Sequence, residues 1–588
     1  MIDVIPPAAI FIVGALLIPL LPGRLKNAYL LALPVIGMWN VLNLPMGSHY
    51  AVSFHGYELL ILEVDRLARA FAIVFHLIAF LGMLYILNFK NNLEYAAALC
   101  YAGCALGVVF AGDLLTLFFF WEGLTVTSMF LILARQTRAA TAAALRYTLV
   151  HAAGGLLLLA GIVMHHHATG SLAFGHLGLG SPATTLIFLG FGVNCAWPLL
   201  HGWLVDAYPE ASIGGTVFLA AFTTKTAVYV LARAFAGEAS LIWIGAVMAI
   251  FPIFFALIEN DLRRVLTYCL INQIGFMVVG IGIGTELAIN GIVAQACAHI
   301  LYKGLLFMAI GAVMYRTGTA KATELGGLAR SMPWTCFFYL MGAAAIAAPL
   351  FAGFVSKSLV LSAAAHEHLW LVWFTLLFAA VGVFVNAGLK VPFFAFFGNA
   401  GGHRVKEAPL NMLLAMAGAA FLCLFIGLFP HYLYDLLPYD VAYQPYTYDH
   451  VMGQLQLLFF AGLAFSLLLL SGLYPAEVRA INIDFDWTYR MASRLLYRGL
   501  DVGLNGINRL TNRLVAVDFT ARLSTFFQDG PARFALALCR PFCLLHQVDE
   551  KQLASSAEKV LRTYRLGNFS VACTAIFSVG FLVLLFFL

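Results

Sequence analysis

GDLLTLFFFWEGLTVTSMFLILA, residues 112–134, decides the fold. The stretch is long and apolar enough to cross a bilayer as a helix. Glu122 is its only charge between Asp113 and Arg135. A carboxylate at bilayer depth is expensive unless it is neutralised, paired, or turned toward a protein interior or an ion path. A lone acid of this kind is equally well read as a hydrogen bond between neighbouring helices. Glu122 has company, however. Lys225, Lys303 and Lys357 also stand inside apolar runs, and together the group reads as a relay of charge through a membrane.

Composition supports this. Of 588 residues, 62% are apolar and 10% charged, against a charged share of about 25% in soluble proteins. Mean hydropathy is +0.91. Apolar runs fall near 7–22, 28–44, 66–88, 94–111, 113–134, 146–164, 184–203, 213–234, 240–258, 265–283, 288–314, 333–365, 369–397, 410–429, 453–474 and 569–588. Runs of this length must be helices, because lipid leaves no partner for open backbone. The expected fold is an all-α polytopic membrane protein, and the first run is read as one span among the others rather than a cleaved leader. The ten cysteines lack iron–sulfur or zinc spacing, the closest pairs being Cys100/Cys104 and Cys539/Cys543. No Gly-rich phosphate loop is present. No cofactor, metal or catalytic group is expected. The net charge of +5 is scattered through loops and does not suggest nucleic acid.

Arg24, Lys26, Lys90, Arg135, Arg138 and Arg146 fall on alternate loops, whereas 45–64 and 165–183 hold no Lys or Arg. The positive-inside bias then places the N-terminus outside, and His165–His167 in an outer interfacial loop. Two apolar runs are interrupted: Gly190–Leu204, with Pro198, and Ala347–Val360, with Pro349, Gly353 and Lys357. Paired interruptions point to inverted repeats with a path at the breaks. The spacing from Asn194 to Lys225 resembles that from Lys357 to Lys390, which suggests equivalent positions in two five-helix repeats. Beyond 474 the chain becomes charged. Leu500, Leu504, Ile507, Leu510 and Leu514 form an apolar stripe on an amphipathic helix. The expected organisation is N-terminal helices 1–93, a repeat core 94–400, further core helices 401–474, an amphipathic arm 475–568 and an anchor span 569–588.

Among the intramembrane charges, Lys225 lies too deep in its run to snorkel, and an approaching proton or carboxylate would shift its charge state. His299 and Lys303 stand at i and i+4, sharing a helix face as a hopping pair. Lys357 sits at an interruption, where freed carbonyls can hold a cation. Lys390 is nearer a span end, where snorkelling competes with a role in transport. Asn194, His201, Gln273 and Gln295 are read as lining the path. Asp206 and Glu210 are placed at its mouth with His201, and Asp261, Arg263 and Arg264 as a solvated, orienting loop cluster.

WEGLTVTSMFLI, GFGVNCAWPLLHGWLVDAYPEAS, FTTKTAVYVLAR, ENDLRRVLTYCLINQIGF, AHILYKGLLFMAIGAVMYRTG and GGLARSMP with FAGFVSK occur in order. Across about residues 65–430 the chain resembles the antiporter-like membrane subunits of respiratory complex I, membrane-bound hydrogenases and Mrp-type cation/proton antiporters. The resemblance implies about fourteen core helices with inverted repeats and a central line of charge. It makes Glu122 the key glutamate, Lys225 the following lysine, His299 and Lys303 the central pair, and Lys357 the exit lysine. Where the family usually has a lysine partner for the glutamate, this chain has Asn194. Either Lys225 pairs with Glu122 directly, or the first half-channel is modified or silent.

The expected function is proton translocation within a multi-subunit complex of a bacterial cytoplasmic (inner) membrane, as an Mrp-like Na⁺/H⁺ antiporter component resembling the D type. Expected partners are other membrane subunits, protons, Na⁺ and the lipid bilayer. The alternatives are a proton-pumping subunit of a complex I-like or hydrogenase-type oxidoreductase, and a non-conducting membrane scaffold.

Overall fold

The computed structural model describes residues 4–399, 401–475, 477–480, 482–546, 549–563 and 571–587. The chain is helical almost throughout. In order the helices are α1 (Pro7–Leu16), α2 (Gly23–Asn43), α3 (Arg66–Ile86), α4 (Asn92–Phe110), α5 (Leu114–Leu133), α6 (Arg138–Thr169), α7 (Pro182–Asn194), α8 (Gly202–Ala207), α9 (Gly215–Ala221), α10 (Thr223–Ala234), α11 (Ala239–Ile258) and α12 (Leu262–Ile283). They continue as α13 (Glu286–Thr317), α14 (Pro333–Ala344), α15 (Ala352–His366), α16 (Trp370–Val383), α17 (Leu410–Leu428), α18 (Pro430–Tyr434), α19 (Tyr448–Leu470), α20 (Asp486–Thr511), α21 (Thr520–Leu545), α22 (Glu550–Thr563) and α23 (Val571–Phe587). Among the described residues, 12 helices are long and apolar enough to cross a membrane. The protein is an all-α polytopic membrane protein.

Two sets of helices repeat one plan. Asp113 caps α5 by accepting from the amides of Leu115 and Thr116, and Asp261 caps α12 by accepting from those of Arg263 and Arg264. Thr137 caps α6 and Thr285 caps α13 in the same way, and both of these helices run 32 residues to a left-handed glycine, Gly170 and Gly318. Isolated bridges tie Asp113 to Ala173 and Asp261 to Lys321. Every one of these pairs stands 148 residues apart. Each cap satisfies amides that helix geometry leaves unpaired, so the caps fix where the helices start. Four spans, α6, α7–α8, α9–α10 and α11, lie between α5 and α12, so the second set runs opposite to the first.

Both sets contain a broken span. The first breaks between α7 and α8, with Ala196 and Leu199 at positive φ, and the second between α14 and α15, with Leu350 at positive φ. Asn194 closes the half-helix before its break, whereas Lys357 lies in the half-helix after its own. The two are therefore not equivalent positions, contrary to the expectation from spacing. A further interruption at Phe222, between α9 and α10, falls inside a run that reads as continuous. α16 continues in π-helical turns over Phe384–Lys390 and Phe393–Phe397. Close approach depends on small residues. A Cβ on Gly245 would stand 2.5 Å from the Val279 amide nitrogen and 2.7 Å from the Gly275 carbonyl oxygen, so α11 and α12 pack backbone to backbone.

Three expectations are corrected. Residues 45–64 are not a plain loop. β1 (Gly47–Phe54) and β2 (Tyr57–Val64) form an antiparallel hairpin closed by His55 and Gly56, both at positive φ. The hairpin docks on the start of α5, where the Leu60 amide donates to Asp113 Oδ2 at 2.7 Å and the Gly112 amide to the Leu60 carbonyl at 2.9 Å. His165–His167 belong to the last turns of α6. Asp261 and Arg263 are not a solvated cluster. Arg263 is 2% exposed, and its guanidinium donates to the carbonyls of Tyr208, Pro209, Ala211 and Ser212 and to Thr216 Oγ1. Those carbonyls lie in the turn entering α9, where regular helical pairing leaves acceptor capacity open for the guanidinium.

The chain divides into two units, residues 1–486 and 487–588. In the second, α20, a π-helical stretch (Asn512–Phe519) and α21 run on without interruption. At 1.5 Å per residue this helix is roughly 90 Å long. Leu500, Leu504, Ile507, Leu510 and Leu514 are all exposed on it. Of the expected anchor span, Val571–Phe587 is helical, while Phe569, Ser570 and Leu588 lie outside the described residues.

Candidate functional site

α13 carries His299 and Lys303 one turn apart, both fully buried. Neither ring nitrogen of His299 has a hydrogen-bond partner among the described residues. The ring stands edge-on to Tyr302 at 5.2 Å, and the Lys303 ammonium lies 5.9 Å from the centre of the Phe307 ring. His299 is within electrostatic reach of three cations, Lys225, Lys303 and Lys357. No carboxylate forms an ion pair with Lys225, Lys303 or Lys357 among the described residues. A row of cations without counter-charges is a high-energy arrangement in a low-dielectric interior unless protons can leave.

The helix breaks supply what holds these lysines. Lys225 follows the Phe222 interruption, and its Nζ donates to the Ala220 carbonyl at 2.6 Å and Thr224 Oγ1 at 3.3 Å. Lys357 reaches back over the second break to the Ile346 carbonyl at 2.7 Å. An amide and hydroxyl network joins it to α13. Ser356 donates to Gln295 Oε1 at 2.6 Å, Gln295 Nε2 to Gln273 Oε1 at 2.9 Å, and the Tyr302 hydroxyl to the same Gln273 oxygen at 2.9 Å. Gln273 and Gln295 therefore stand between His299's neighbour Tyr302 and Lys357's neighbour Ser356.

Lys390 is fully buried and does not snorkel. Its ammonium donates to the carbonyls of Ala256 (3.1 Å), Leu257 (2.7 Å) and Glu259 (2.8 Å), the orphan acceptors at the end of α11. Glu477 completes the clamp, with Oε1 2.9 Å from Nζ. The same segment reaches the first break. His201 Nε2 lies 3.2 Å from both carboxylate oxygens of Asp484, the Tyr268 hydroxyl donates to Asp484 Oδ2 at 2.7 Å, and the Phe485 amide donates to Oδ1 at 2.6 Å. Burial would push the Asp484 carboxyl up, but its bonds from His201, Tyr268 and Phe485 outweigh that and hold it below its ordinary value. Asn482 in turn donates to the Ile258 carbonyl at 3.1 Å and to Glu259.

Glu122 is partly buried on α5 and forms no ion pair with Lys225. Its carboxylate presses on Gly155 of α6, where any Cβ would overlap Oε1. Asn194 is fully buried, its Oδ1 2.8 Å from His151 Nδ1. Around the first break, Arg146 holds Asp206 in a two-point contact at 2.6 and 3.0 Å, and Arg135 holds Glu210 at 3.1 Å.

The structure thus brings Lys225, His299, Lys303, Gln273, Gln295 and Lys357 into one buried row, with Lys390 at a carbonyl clamp. Glu122 and Asn194 lie instead on the α5–α6–α7 side. His151, Glu477 and Asp484 escaped the sequence reading. His151 had one signal, its place in an apolar run. The two acids lie in a charged segment whose partners are remote in sequence.

Residues 111–421 match the family described as NADH:quinone oxidoreductase/Mrp antiporter, TM. Hydrogenase-4 component B of Escherichia coli is 26% identical over 431 residues, covering 63% of this chain and 62% of that one. The chain thus spans somewhat under two thirds of that relative's length. The D-type subunit of the Na(+)/H(+) antiporter of Alkalihalophilus pseudofirmus is 26% identical over 370 residues, covering 58% of this chain and 74% of that one. In fold, a chain of the Mrp complex from Dietzia sp. DQ12-45-1b superposes with a TM-score of 0.75 at 22% identity, covering 97% of this chain and 74% of that one.

Proposed function

Because the chain belongs to the NADH:quinone oxidoreductase/Mrp antiporter membrane-subunit family, we propose that it translocates protons within a multi-subunit membrane complex, in exchange for Na⁺ as in the Mrp-type antiporters. The observation that carries this reading is the buried, carboxylate-free row of Lys225, His299, Lys303 and Lys357. Loading one site with a proton raises the cost of charge at the next. At an effective dielectric of about 20, unit charges some 8 Å apart interact by about 2 kcal/mol. That exceeds one pKa unit, or about 1.4 kcal/mol, so occupancy passes along the row by electrostatics. Glu122 supplies the exchangeable acid of the first half, Gln273 and Gln295 relay toward Lys357, and Lys390 closes the row. Asn194 and His201 line the first break.

The likeness to the D-type antiporter component and the alignment of nearly the whole chain, arm included, with an Mrp-complex chain favour the antiporter branch. The hydrogenase relative supports a second reading, in which redox chemistry in partner subunits powers proton pumping through this one. Partners in either case are other membrane subunits, in a bacterial inner membrane with the N-terminus outside, as the distribution of Lys and Arg over the loops favours. The test is flux in vesicles containing the purified complex: an imposed Na⁺ gradient should drive pH change, and Lys303→Ala should abolish it. Proton movement indifferent to Na⁺ would transfer the chain to the redox-powered branch, and undiminished movement in Lys303→Ala would remove the row from transport altogether.

A further inference from the structure

The constant offset between the two helix sets aligns α6 with α13 residue by residue. His151 is the fourteenth residue of α6, as His299 is of α13, and Gly155 falls opposite Lys303. The first set therefore keeps the histidine of the second but replaces the lysine one turn on with glycine. Into the space left by that glycine comes Glu122.

From this juxtaposition we infer that His151 is the proton partner of Glu122, the base of the first half where no lysine stands. The reading rests on proton translocation as proposed above. His151 is 1% exposed, packed between Tyr147 (rings 4.1 Å apart) and Trp203 (4.4 Å). Tyr147 is itself bonded to Ser128 of α5 at 2.8 Å. Tyr147, His151 and Gly155 thus follow at one-turn intervals along the seam between α5 and α6, with Ser128 and Glu122 facing them.

The hydrogen bonding fixes what the ring can do. Asn194 Oδ1 only accepts, so Nδ1 of His151 carries the hydrogen and Nε2 carries the lone pair. Nε2 is buried with no hydrogen-bond partner among the described residues, and so is Glu122 Oε1. An amide at 194 cannot titrate, but it sets the tautomer that leaves Nε2 as the base. The step balances simply. The O–H bond of protonated Glu122 breaks, an N–H bond forms at Nε2, and the products are a carboxylate and an imidazolium that still donates to Asn194. Along α6 one helical turn, about 5.4 Å, separates His151 from Gly155, against which Glu122 lies, a step of the size that one bridging water spans.

The test uses the assembled complex in vesicles, with flux normalised to complex present. Glu122→Gln is the reference for loss, and His76→Gln the control, since His76 is another buried histidine but lies on α3 outside both repeats. His151→Gln should lower flux by about a hundredfold, the usual worth of a positioned acid–base group. His151→Gln/Asn194→Lys should recover much of it with an altered pH profile, because a titratable base returns at the position that faces residue 151. Should His151→Gln not accumulate, His151→Lys is read instead: transport supports the inference, and loss contradicts it. The inference falls if His151→Gln transports like wild type while Glu122→Gln is inactive, or if the double variant assembles but stays inactive. Wild-type flux in Glu122→Gln as well would remove the transport reading itself.

Discussion

Glu477 Oε1 lies 2.9 Å from Nζ of Lys390, a pair joining a segment beyond the last core helix to the π-helical turn of α16. Both side chains are buried, Lys390 completely and Glu477 to within 6%. Removing one partner of such a pair strands a charge and costs about 3–5 kcal/mol, whereas replacing both is far milder. Lys390→Met and Glu477→Gln should each lower the thermal midpoint of the solubilised protein clearly, and the double variant should recover most of the loss. Additive losses in that double-mutant cycle would show that the pair is not coupled.

The same geometry separates two lysines in transport. Lys357 is held by one carbonyl and the amide network, whereas Lys390 is clamped by three carbonyls and a carboxylate. Lys357→Ala should therefore abolish flux, while Lys390→Met/Glu477→Gln should retain a substantial part. Equal, mild effects of both would place the second half outside the path.

Asp484 gives a pH prediction. Its carboxyl is held below the ordinary 3.8 by His201, Tyr268 and the Phe485 amide, against the opposing effect of burial. A depressed carboxyl adds stability that is fully present above its ordinary value and is lost as pH falls through the lowered one. Hydrogen-exchange protection of residues 482–486 should stay level from neutral pH to about 4 and fall below that. Asp484→Asn should be less protected at neutral pH and lack the acid step. An acid step persisting in Asp484→Asn would assign it to another group.

The arm should fasten and not conduct. Leu500, Leu504, Ile507, Leu510 and Leu514 are exposed in the isolated chain, and covering each by a partner is worth about 1.5–3 kcal/mol. Ending the chain after Asp486 keeps Glu477 and Asp484 in place while removing the whole second unit. Yield of assembled complex should drop, with flux per complex unchanged. Normal assembly with lost flux would make the arm a coupling element.

Much of this was legible in the sequence because an isolated charge in an apolar run is costly enough to stand out: Glu122, Lys225, His299, Lys303 and Lys357 all surfaced that way. The broken spans showed through Pro198 and Pro349. The Phe222 break did not, since no proline or glycine marks it and the run reads as one continuous helix. The hairpin at 47–64 was hidden because its His-Gly turn is a weak signal beside the stretch's lack of Lys and Arg. His151 was masked by Asn194, which drew attention to the missing lysine rather than to the ring beside it. Arg263 looked like a solvated charge and Glu477 and Asp484 drew no reading, because composition does not reveal carbonyls or counter-charges that are distant in sequence.

The most direct measurement is proton flux through vesicles containing the purified complex, comparing wild type with Lys225→Ala. Lys225 is fully buried, unpaired by any carboxylate among the described residues, and held only by Ala220 and Thr224. Removing it interrupts the row between the two halves, so flux should fall by about a hundredfold or more with assembly intact. Wild-type flux in an assembled Lys225→Ala complex would contradict the proton-path account and leave the chain as a membrane scaffold.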